Sequence, residues 1–134
     1  MLINMFTPTR LHPVYALVSA LLAFMLWGGW AYAINSGSLK AALIQGSASF
    51  IITLLMVRTV TWLYRRMAGG WLQLWLPASV TILLTGSGLA MLHQLAGTPR
   101  ILLTIAPALC VGFVFCLFTS YTLRKSDPTH ESAR

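Results

Sequence analysis

Between Met1 and Ser126 there is no aspartate and no glutamate; the only two acids, Asp127 and Glu131, fall in the last eight residues of a 134-residue chain. A chain so built has no paired carboxylates for general acid–base work and no membrane carboxylate through which a proton gradient could be coupled. Charge of either sign is scarce. With 8% charged and 57% hydrophobic residues, the surface of a globular fold could not be solvated by water, and lipid is the economical solvent. A glycine-rich phosphate loop and a serine nucleophile elbow are also missing. No enzyme activity, cofactor or metal site is expected from these residues. Cysteine is nearly absent: Cys110 and Cys116 lie six residues apart on one predicted helix, about 9 Å along its axis and on different faces, too far for a disulfide.

What is present is four long apolar runs, the second closed by Arg65-Arg66 and the fourth by Arg124-Lys125. The net charge of +7 would suggest nucleic acid in a soluble protein, but the cations sit mostly where apolar runs end. They read as topology and headgroup anchors, so the expected partners are a bilayer with anionic headgroups and a membrane protein or second copy, not nucleic acid. The fold class is therefore all-α membrane protein: four transmembrane helices in a compact bundle, with spans at about 13–35, 39–66, 71–95 and 99–124, as one domain over 1–125. A polar tail, 126–134, is expected to be disordered.

The punctuation supports these boundaries. Pro13 suits a first helical turn, and Asn35-Ser36-Gly37-Ser38 is a turn cluster with Ser38 as N-cap. Ala31-Tyr32-Ala33 fits a signal-peptidase pattern, but the long apolar region and the bulky Trp27 and Trp30 favour retention as a first span. Met67-Ala68-Gly69-Gly70 ends the second helix; Pro77, Gly86 and Gly88 allow a bend in the third. Thr98-Pro99 reads as N-cap and first residue of the fourth. With both termini on one side, Arg10, Arg65, Arg66, Arg124, Lys125 and Arg134 share that side against Lys40 and Arg100, which places both termini in the cytoplasm of a bacterial inner membrane. A shift of about sixty residues lays Gly28 on Gly88, Gly37 on Gly97 and Lys40 on Arg100, an echo that suggests two tandem αα-hairpins.

Three constellations stand out. Ala108, Gly112, Cys116 and Ser120 form a small-residue stripe along which another helix can pack closely. On the second helix, at about 100° per residue, Gln45, Gly46, Ser49 and Thr53 lie on one side while Arg58, Trp62 and Arg65 lie on the other. If the small polar side packs inward, Arg58 points toward lipid as a headgroup anchor; the alternative is a cavity-facing site for an anionic group. Lys40, Gln45, His93, Gln94, Thr98, Arg100 and Thr104 form a third group at the outer helix ends, either a polar pocket or water-facing turns.

In length and helix count the chain is similar to the small multidrug transporters, but their membrane-embedded glutamate in the first helix has no counterpart here. In size and basic balance it is similar to the GtrA-like proteins, implicated in moving lipid-linked sugars, without a shared motif. Two functions follow from the residues: an accessory or assembly subunit acting through helix packing, which leads, and a carrier or flippase for an anionic or lipid-linked amphiphile as the alternative.

Overall fold

The computed structural model describes residues 13–126. Four α-helices follow one another: α1 Pro13–Ile34, α2 Leu39–Arg66, α3 Leu72–Ala96 and α4 Ile101–Lys125. All four are long and apolar enough to cross a membrane, the pattern of a multi-pass membrane protein. At 1.5 Å per residue α1 extends about 33 Å and α2 about 42 Å, against a hydrocarbon layer of about 30 Å. Of the expected polar tail only Ser126 is described; Asp127 and Glu131 lie outside the described residues.

Antiparallel neighbours need tight reversals, and each reversal uses its own chemistry. After α1, Ser36 (φ 54°) and Gly37 (φ 78°) take left-handed conformations. Ser38 then caps α2, its hydroxyl accepting the Ala41 N–H at 3.2 Å. After α3, Gly97 at φ 72° closes the helix. Its N–H donates to the Gln94 carbonyl and the Thr98 N–H to the His93 carbonyl, at 3.2 and 3.0 Å, the paired closure that satisfies the last carbonyls of a helix. This corrects the sequence reading of Thr98-Pro99 as the start of the fourth helix. Thr98 belongs to the cap of α3, and α4 starts at Ile101 with Arg100 before it. Between α2 and α3 the Gln73 amide donates to the Tyr64 and Met67 carbonyls at 3.1 and 3.3 Å, so one side chain ties two carbonyls at the end of α2 to the start of α3.

α1 packs chiefly on α2 and α3 on α4, while α2 also touches α3 and α4. Small residues set these approaches. A Cβ on Gly28 would meet the Ala42 carbonyl oxygen at 3.1 Å, and one on Gly46 would meet Phe24 at 3.1 Å; α1 and α2 therefore cross where neither has a side chain to separate them. Val60, Ala78 and Cys116, one from each of α2, α3 and α4, form a core flanked by Met56, Ile82, Phe113 and Leu117. Gly112, Cys116 and Ser120 are buried and Ala108 is half-buried; a Cβ on Gly112 would meet Ile82 and Met56 at 3.2 and 3.3 Å. The stripe on α4 thus faces α2 and α3. Large exposed side chains such as Leu22, Met25, Leu83 and Val114 cover the outer surface, which suits contact with acyl chains.

Candidate functional site

Two polar regions lie at opposite ends of the helices. The first is at the end bearing the α1–α2 and α3–α4 turns. There Gln45 of α2 and His93 of α3 are both wholly buried. Gln45 Oε1 is 2.8 Å from His93 Nε2, and His93 Nδ1 is 2.8 Å from the Thr98 hydroxyl. With Oε1 accepting, the imidazole carries its proton on Nε2 and its Nδ1 accepts from Thr98. The Gln45 Nε2 group has no partner.

Asn35 extends this region to α1 and α4. Its Nδ2 donates to the Ala31 carbonyl at 2.9 Å and to Thr104 Oγ1 at 2.8 Å, while its Oδ1 accepts the Arg100 N–H at 3.2 Å. The Thr104 hydroxyl in turn donates to the Arg100 carbonyl at 2.6 Å. Close by, Trp30 Nε1 of α1 donates to the Leu103 carbonyl at 2.9 Å. That bond has a covalent cause. Leu103 would ordinarily serve the N–H four residues later, but that residue is Pro107, inside α4, which has none. The indole supplies the missing donor, where an unpaired carbonyl in lipid would cost several kcal/mol.

The second region is a groove of about 1960 Å³ toward the end bearing Pro13 and Lys125. Ala16, Ser19, Ala23 and Trp27 line it from α1, and Ala108, Gly112, Phe115 and Thr119 from α4. Both sets recur at spacings of three and four, one face of each helix. Along α2 it is lined from Ser49 and Thr53 through Met56 and Arg58 to Thr61, Trp62, Arg65 and Arg66. The volume exceeds the few hundred to 1,000 Å³ usual for drug-sized ligands. α1 and α4, bonded to each other at the turn end, leave this space between them toward the other.

The arginines differ in their surroundings. The Arg66 guanidinium lies 4.6 Å from the centre of the Trp62 ring, a cation–π contact. Arg58 and Arg65 are exposed, sit seven residues apart on one side of α2, about 10 Å along the axis, and face no carboxylate among the described residues. Thr61 lies between them. It is only 7% exposed, and its hydroxyl is buried without a hydrogen-bond partner.

Of the sequence-selected residues, Gln45 and His93 are joined directly, and Ser49, Thr53 and Arg58 line the groove. Lys40, Gln94 and Arg100 are exposed, and of Arg100 only the backbone joins the buried bonds. Asn35, Trp30, Thr61 and Gln73 escaped the sequence reading as site residues. For Thr61 a signal existed, since it stands three residues after Arg58 and four before Arg65, on the same side of the helix. For Trp30 the signal was Pro107, but pairing the two requires knowing that α1 lies against α4. No family model, curated protein or solved structure matches the chain.

Proposed function

We propose that this chain binds, and carries across its membrane, an anionic amphiphile held in the groove between α1 and α4. The observation that supports it most is the union of a large, mainly apolar groove with arginines for which the described residues offer no carboxylate. An apolar tail suits the walls of α1 and α4, and an anionic head suits the arginine end. In this reading the helices form a compact bundle of two tandem hairpins in a bacterial inner membrane, both termini cytoplasmic, with the groove opening toward the cytoplasmic leaflet.

The accessory-subunit reading rests on small-residue stripes, short loops and the lack of chemical groups. Gly112, Cys116 and Ser120 are buried within this chain, so the fullest of those stripes is already taken up by the chain's own helices. The decisive experiment is reconstitution into vesicles carrying a trace of fluorescent anionic or zwitterionic lipid, followed by quenching from one side. Protein-dependent movement of the anionic probe, faster than of the zwitterionic one, is the expected result. Rates equal to empty vesicles for both would sink the carrier function.

A further inference from the structure

We infer that the head of the occupant is a phosphate, held by Arg58, Thr61 and Arg65 of α2; this rests on the groove reading above. Two cations to which the described residues offer no carboxylate suit a head with more than one negative charge. A carboxylate head neutralises one of them, whereas a phosphomonoester approaches −2 above its second pKa near 6 and offers three acceptor oxygens. Planar guanidinium forks suit those oxygens, and arginines two turns apart with long stems can reach one group lying between them.

Thr61 supplies an independent indication. Among the described residues the hydroxyls of Thr59, Ser79, Thr104, Thr119, Thr122 and Ser126 each donate to the carbonyl four residues earlier. Thr61 makes no such bond although its hydroxyl is buried, and among the buried hydroxyls without partners, Thr61, Thr81 and Ser120, it is the one that lines the groove. A donor left unpaired at the level between two arginines fits a third oxygen of the same head group. Arg66, held over Trp62, stands apart from this clamp and serves the rim.

The test uses the full-length protein in neutral detergent, titrated at pH 8 with dodecyl phosphate, dodecanoate and inorganic phosphate, binding being followed by calorimetry. Dodecyl phosphate is expected to bind about tenfold more tightly than dodecanoate, a difference of about 1.4 kcal/mol. Arg58→Gln and Arg65→Gln each erase that preference; Thr61→Val weakens the phosphate about tenfold and leaves dodecanoate unchanged, the loss expected for one hydrogen bond to a charged group. Because Thr61→Val removes only an unpaired hydroxyl and both arginines are exposed, unchanged thermal melting of the three variants separates a binding defect from misfolding. Equal affinity for the two amphiphiles overturns the phosphate assignment while leaving the groove. Inorganic phosphate binding as tightly as dodecyl phosphate overturns the tailed occupant while keeping the clamp, and failure of every ligand to bind overturns both.

Discussion

The two ends of this molecule solve the same problem, polar groups within an apolar span, in opposite ways. At the turn end Gln45, His93, Thr98, Asn35 and Thr104 are neutral, buried and bonded mostly to one another; at the other end Arg58 and Arg65 are charged, exposed and, among the described residues, without a carboxylate. Neutral side chains can be sealed in because each finds at least one partner at hydrogen-bond distance, even where, as at the Gln45 Nε2 group, one atom is left over, whereas a charge with no carboxylate near it must be left open to water, headgroup or ligand. The contrast teaches that polar content alone does not locate a site. What distinguishes the ends is whether the polar groups are already satisfied.

The comparison can be broken first at His93. Replacing it by alanine strands the Gln45 and Thr98 groups and opens a cavity, and should cost about 3 kcal/mol. The double replacement Gln45→Leu/His93→Leu, which removes both partners and refills the space, should recover much of that loss. Reversible unfolding in mixed micelles measures both, and equal costs for the two would mean that the bond is not what seals this end.

A smaller effect is expected at Trp30. Trp30→Phe removes the donor to Leu103 and should cost about 1–2 kcal/mol. In a Pro107→Ala background, where α4 regains its own N–H, the same change should cost markedly less. A double-mutant cycle without coupling would detach the indole from the proline.

The smallest effect on stability is expected at the open end. Among the described residues Arg58 and Arg65 make no side-chain hydrogen bond or ion pair, so Arg58→Gln and Arg65→Gln should each shift unfolding by no more than about 0.5 kcal/mol. A large destabilisation would show that these cations hold the fold, and would make the two ends alike.

Much of the architecture is legible in the sequence because lipid imposes simple grammar: apolar length, small residues at crossings, glycine and serine at reversals. Helical periodicity likewise separates Gln45, Gly46 and Ser49, all buried, from the exposed Arg58 and Arg65. It fails where a residue's role depends on a second helix. Asn35 looks like a turn residue and is a bond between α1 and α4; Thr98 looks like an N-cap and is the partner of His93. Gln73, near the start of α3, turns out to close the end of α2. Spacing along one helix fixes which residues share a face, but not which helix that face meets.

The Trp30–Leu103 and Asn35–Thr104 bonds join α1 to α4 at one level and leave the groove between them farther along. In the proposed reading an occupant arrives sideways, out of the surrounding leaflet, without first dissolving in water. Its supply is then a surface composition and not an aqueous concentration. Occupancy should follow the mole fraction of the anionic species in that leaflet, in competition with every other lipid there, and dilution of the vesicles at constant composition should leave it unchanged.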